Sequence, residues 1–200
     1  GISFNTNIEG WVVAGEYHLR KDAPIQMTGP VLNGLGAGPF FAVNCGTCVQ
    51  GDEIQGYEEV DRHQLQMTFQ RIWGVGFMGA DANSTLAEVA YGWVDGLPEK
   101  NEALIGPFRT VFNPQVTEHF RGFQIKQSLT YEAALFNVAS VSPFVAFKYD
   151  VEGVSNEIVP LFVDDRKALT LGVDFGYGGG KWTGGVSWTM FDGAEAMVNQ

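Results

Sequence analysis

Long apolar runs are missing from this chain. No stretch approaches the ~18 unbroken apolar residues that a membrane helix needs, so only strands could cross a membrane here. Helical periodicity is almost absent as well. Charge is scarce: 18% of residues are charged, below the ~25% usual in soluble domains. The balance is acidic, with a formal net charge of −11. That argues against nucleic acid, which demands a basic footprint. No basic amphipathic helix is present to bind an anionic leaflet. Ser-His-Asp order, metal-ligand spacing and a phosphate-cradling loop are also missing, so neither an enzyme nor a cofactor is expected. Gly178, Gly179 and Gly180 form a hairpin turn with no helix behind them to hold phosphate. No signal peptide opens the chain, and Gly1 stands almost inside a strand.

Cysteine is nearly absent too. Cys45 and Cys48, in Cys-Gly-Thr-Cys, are the only two. A redox pair would sit at a helix start, where the helix N-terminus lowers the thiol pKa; no helix signal follows here. A metal site would need a second ligand pair, which three scattered histidines do not supply. The favoured reading is a small structural disulfide pinching a loop, compatible with an oxidising compartment.

What the chain does have is alternation. Leu169, Leu171, Val173, Phe175 and Tyr177 share one side of a stretch whose other side is Ala168, Thr170, Gly172, Asp174 and Gly176. Period two is the strand signature, because successive side chains leave opposite faces of a pleated chain. The pattern recurs in seven or eight stretches. Trp11, Val13, Gly15, Tyr17 and Leu19 oppose Ala14, Glu16, His18 and Arg20; Leu65, Met67 and Phe69 oppose Gln64, Gln66 and Thr68. Ala87, Val89, Tyr91 and Trp93 oppose Glu88, Ala90 and Gly92. Phe123, Ile125, Leu129 and Tyr131 oppose Gln124, Lys126, Ser128 and Thr130, with Gln127 falling on the apolar side. Val145, Phe147 and Tyr149 oppose Ala146 and Lys148, and Trp182, Val186, Trp188 and Met190 oppose Thr183, Ser187 and Thr189. Pro143 cannot donate to a ladder, so a bulge or strand end is expected there.

The connections alternate short and long. Long loops are expected near 21–60, 95–118 and 150–165, all at one rim, with tight turns at the other. Trp11, Trp73, Tyr131, Tyr177 and Trp182 fall near the short-turn rim, and Trp93 and Tyr149 near the long-loop rim. Together with 26 glycines and 13% aromatics, this predicts an all-β, antiparallel up-and-down transmembrane β-barrel. Residues 1–200 would supply part of a larger barrel, its C-terminal half without the closing strand.

On that expectation the inward-facing charges are Glu16, His18, Arg20, Glu88, Lys126, Lys148 and Asp174. They would form a lumen ladder of paired charges, or simply pair with one another and keep the interior solvated. Asp52, Glu53, Glu58 and Glu59 crowd the first long loop, and Asp150, Glu152, Asp164 and Asp165 the third. Hard divalent cations use such oxygen clusters. The spacing is not that of an EF-hand, so a solvated acidic loop is favoured over a metal site.

Ser3-Phe4-Asn5-Thr6-Asn7, Gly10-Trp11 and Gly15-Glu16, then Gly51 to Tyr57 with Asp61, Gln64, Gln66 and Thr68, form a spread-out pattern. Gly79-Ala80-Asp81 with Glu88, and Arg166 to Gly172 with Trp182 and Phe191, extend it. The pattern resembles a Gram-negative outer-membrane family known as domain of unknown function thirteen-oh-two. The resemblance implies a large outer-membrane barrel that moves hydrophobic compounds such as lipids or sterols. It also implies outer-membrane lipid, a hydrophobic small molecule and a soluble periplasmic lipid-carrier-like protein as partners. It carries over no catalytic residues, and the Cys45/Cys48 pair is not part of its pattern. Passage of a hydrophobic or amphipathic molecule across the bacterial outer membrane is therefore the leading expectation. A structural or surface-assembly envelope protein is the alternative, and a soluble lipocalin-like ligand-binding barrel a second.

Overall fold

Residues 1–26, 57–97, 116–156 and 161–194 are described by a computed structural model. They form one antiparallel sheet of eight strands in simple sequence order. The strands are β1 (Ile2–Ile8), β2 (Trp11–Gln26), β3 (Tyr57–Ile72), β4 (Ala82–Asp95), β5 (His119–Leu135), β6 (Ala139–Glu152), β7 (Arg166–Tyr177) and β8 (Trp182–Asp192). Glu9-Gly10 turns β1 into β2, and Gly178–Gly180 turns β7 into β8, with positive φ at all five residues. Glycine takes that geometry without a Cβ penalty. A short 3-10 turn at Phe77–Gly79 lies between β3 and β4.

The sheet is open. Among the described residues β1 pairs only with β2, and β8 only with β7. A barrel wall gives every strand two neighbours, so the transmembrane β-barrel expected from the alternation is not formed. The physical reason is that alternation is a property of each strand by itself. Closure depends on strand number, tilt and stagger acting together, and no strand encodes those alone.

Strand pairing also reaches into the segment expected as the first long loop. β2 continues past a register shift between Arg20 and Ala23 to pair Ala23 with Val60 and Ile25 with Glu58. The remainder of that loop, with Cys45, Cys48, Asp52 and Glu53, lies outside the described residues. Pro143 produces no bulge: it stays in register opposite Val173. The shifts in β5–β6 pairing fall instead between Arg121 and Gly122 and between Tyr131 and Leu135.

Burial is concentrated at one end. Ala23, Ile25, Val60, Val94 and Phe120 form the core cluster, with Leu97 and Phe162 packed against it. It lies on the polar side of the sheet toward the long-loop rim, where the β6–β7 connection folds back. Phe120 and Phe162 stack with ring centres 5.3 Å apart. Among the described residues the other side has no such cover.

Candidate functional site: the two faces of the sheet

Register carries each row of side chains straight across the strands. On the polar face Thr68, Glu88, Gln124 and Lys148 follow one another through β3, β4, β5 and β6. Thr68 donates to Glu88 Oε1 at 3.3 Å, and the Gln124 amide donates to the other oxygen. One row nearer the short turns, the Lys126 ammonium stands 3.9 Å from the Phe144 ring centre and 3.9 Å from Asp174 Oδ2. Gly172 makes room for that ring, since a Cβ there would come within 2.4 Å of it.

Glu16 pairs across the backbone with Ser3 and Gln66, and helps line a cleft of about 320 Å³ with Asn5 and Thr68. His18 stands opposite Gln64, and Arg20 opposite Arg62. Asp174 lines a second cleft of about 380 Å³ with Ser140, Ser142 and Thr183. Glu16, His18, Arg20, Glu88, Lys126, Lys148 and Asp174 thus occupy one face, spread over β2, β4, β5, β6 and β7 of an open sheet. Glu58 and Glu59 belong to β3 and alternate. Among the described residues no group of His, Cys, Asp or Glu is arranged to hold a metal.

Asp150 is not the solvated loop acid that its acidic neighbours suggest. It is 0% exposed. Its Oδ2 accepts from Arg166 Nε at 2.7 Å and from the Val163 amide at 3.2 Å, while Lys148 Nζ lies 3.5 Å from Oδ1. Buried Ser155 accepts from the amides of Leu161 and Phe162 at 2.9 and 3.0 Å. These two side chains hold the β6–β7 connection down and place Phe162 on Phe120. The visible clue in the sequence was Asp150 continuing the polar alternation of Lys148 into the end of β6.

On the apolar face, the long-loop rim carries a run of stacked rings. His63 lies 4.4 Å from Trp93 with the planes 6° apart, and its two nitrogens engage Tyr17 Oη at 2.7 Å and Asp95 Oδ2 at 3.0 Å. Tyr91 stacks on His119 and meets its Nδ1 at 2.9 Å. His63 and His119, distant in sequence, belong to one rim. Nearby, hydrogen bonds from Lys167 and then Tyr149 hold the Asp165 carboxyl below the usual carboxylate range.

The short-turn rim joins Trp11 and Trp73 edge to face at 5.5 Å, with the Arg71 guanidinium over both. Trp73 Nε1 donates to Thr85 Oγ1 at 2.8 Å, Thr85 donates to Gln127, and the Gln127 amide donates to Asn83. Gln127 on the apolar side is therefore one link of a polar chain that also buries Thr85.

The pattern of residues that resembled a known family is matched over residues 1–199 by the model of the family described as Protein of unknown function (DUF1302). The chain belongs to that family. Membership suggests an outer-membrane-associated protein. No curated protein and no solved structure matches the chain. The expected passage of hydrophobic molecules needed an enclosed path. The open sheet removes the basis for a transmembrane transport barrel, and that expectation is withdrawn.

Proposed function

We propose that this chain is a non-enzymatic structural or surface-assembly protein of the bacterial outer membrane. Its apolar face rests against lipid, and its strand edges are taken up by further strands. The observation that carries the reading is the apolar face, which the described residues leave uncovered. Leu65, Ile125, Leu171 and Val186 are 43%, 42%, 45% and 74% exposed, in the middle of their strands. Isolated exposed apolar residues are ordinary, but a contiguous face bounded by polar rims marks a surface that meets a partner or a membrane.

The dimensions favour lipid. His63 and Arg71 mark the two rims on β3, about 26 Å apart along a strand rising about 3.3 Å per residue. That is close to the apolar band of about 25 Å that strands present to a bilayer. Rings with one polar tip gather at both ends, the arrangement that suits a membrane–water boundary.

The edges favour assembly. Soluble proteins blunt exposed edges with lysine, proline or a bulge. β1 reads Ile-Ser-Phe-Asn-Thr-Asn-Ile and β8 carries one charge, Asp192, at its last position. Neither edge is defended. An unpaired backbone group in hydrocarbon costs several kcal/mol, so both edges call for further strands.

The test is a deletion strain. Loss of an envelope component should sensitise cells to detergent and to bulky antibiotics while uptake of labelled fatty acid stays at the parental rate. An intact barrier with altered uptake would overturn the proposal.

A further inference from the structure

Arg71 is out of place on the apolar face. Its row runs Ile8, Trp11, Arg71, Thr85, Gln127 and on to Val145. Two other cations on this face have acids: Arg121 meets Glu152 at 2.9 Å and Lys167 meets Asp165 at 2.8 Å. Among the described residues no carboxylate stands within ion-pair distance of Arg71. Instead its guanidinium carbon lies 4.1 Å from the Trp73 ring centre and 5.7 Å from that of Trp11. In a chain with a net charge of −11, a cation on this face without an acid is the exception.

Contact with ring faces satisfies the cation's charge in part and leaves the N–H edges of the guanidinium free. Those edges form a planar fork that matches phosphate oxygens in pairs. Beside it, the donor chain from Trp73 through Thr85 and Gln127 ends at Asn83, whose own amide NH2 donates to no other side chain among the described residues. Polar groups are thus gathered at one spot of an otherwise apolar surface, at its rim. Around them Ile8 and Trp73 are exposed large hydrophobics, and Ile8 shares the row of Arg71.

We propose that Arg71, held over Trp11 and Trp73, is a seat for the phosphate of a phospholipid headgroup at the short-turn rim. Charge complementarity selects an anion. The surrounding apolar face selects an anion that carries acyl chains rather than free phosphate. The inference rests on the apolar face meeting lipid, and the experiment separates the two.

Purified full chain is floated with vesicles of digalactosyldiacylglycerol, which carry no phosphate, and with the same vesicles containing phosphatidylglycerol. Wild type should bind both, and phosphatidylglycerol should raise binding about fivefold, the worth of one cation at an anionic surface. Arg71→Gln should keep galactolipid binding and lose the gain. Arg121→Gln, at the opposite rim, should keep both. Arg71→Lys, a charge without the fork, should retain galactolipid binding with a reduced gain, and it serves as the second variant if Arg71→Gln fails to fold. An undiminished gain in either Arg71 variant overturns the seat while leaving the lipid face standing. Loss of the wild-type gain in inorganic phosphate, but not in sodium chloride of equal ionic strength, assigns the site to free phosphate and also overturns it. Failure of wild type to bind either vesicle overturns the lipid face, and the seat with it.

Discussion

The Phe120 ring occupies the space above Gly92. A Cβ on Gly92 would come within 2.2 Å of that ring. Phe120 is 2% exposed and lies at the centre of the cluster that joins β2, β3, β4 and β5 at the long-loop end. Glycine is needed at this position for the room it leaves a neighbour, since its φ is not among the positive ones.

Gly92→Ala should therefore destabilise the sheet by about 1–3 kcal/mol, the usual cost of overpacking. Phe120→Ala should cost about 3–5 kcal/mol through the cavity it leaves. The double variant should cost less than the two combined, because removing the ring removes the clash. Denaturant midpoints of the four proteins check this; strict additivity would mean that the contact contributes nothing.

Asp150 and Arg121 offer a contrast between buried and exposed ion pairs. Asp150→Ala leaves Arg166 and the Val163 amide without their acceptor in a buried setting, and should cost about 3–5 kcal/mol. Arg121→Ala breaks a pair whose side chains are both 58% exposed, and should cost no more than about 1 kcal/mol. Limited proteolysis adds a local readout: cleavage within residues 161–165 should accelerate in Asp150→Ala and not in Arg121→Ala.

Val173 and Thr170 test the assignment of faces. Val173 pairs with Pro143 and Val186 on the apolar face, while the Thr170 hydroxyl meets that of Thr189 at 2.9 Å on the polar face. Val173→Arg should weaken association with lipid vesicles by about 2–4 kcal/mol, the cost of an arginine on a lipid-facing strand position at mid-depth. Thr170→Arg should leave association unchanged. Equal behaviour in flotation would mean that neither face meets lipid.

Asp165 predicts an acid limit. Its carboxyl is held below the ordinary value of 3.8 by hydrogen bonds from Lys167 and Tyr149. A depressed folded-state pKa adds stability that is fully present above the unfolded value and is lost as pH falls through the folded one. Wild type should lose that increment only below about pH 4. Asp165→Asn should lack it at neutral pH and show a shallower acid decline. Thermal midpoints across the acid range decide; parallel curves would mean the cluster adds nothing to stability.

How much of this was legible beforehand follows from the range over which each feature is determined. That Leu169, Leu171 and Val173 lie on one side and Thr170 and Asp174 on the other is decided within β7, because the pleat sends successive side chains to opposite faces. The turn at Gly178–Gly180 is equally local. Pro143 was read for the hydrogen bond it cannot donate, yet β6 keeps its register with β7 straight through that residue. The burial of Asp150 could not be read from its run of acidic neighbours. It depends on Arg166 across the sheet and on a connection that folds back to offer the Val163 amide.

Local alternation thus determined the strands and their two faces by itself, since a side-chain period of two needs no partner to exist. Tertiary structure decided everything that requires two strands to be placed against each other. It stacked His63 on Trp93, set Arg71 over Trp11 and Trp73, and brought Lys126 to Asp174, because each meeting is fixed by cross-strand register, and a slip of one residue would reverse the faces. It also left β1 and β8 apart. Whether the ends of a sheet meet depends on accumulated twist, tilt and stagger over all its strands, and the alternation within any one strand is the same in an open sheet and a closed one.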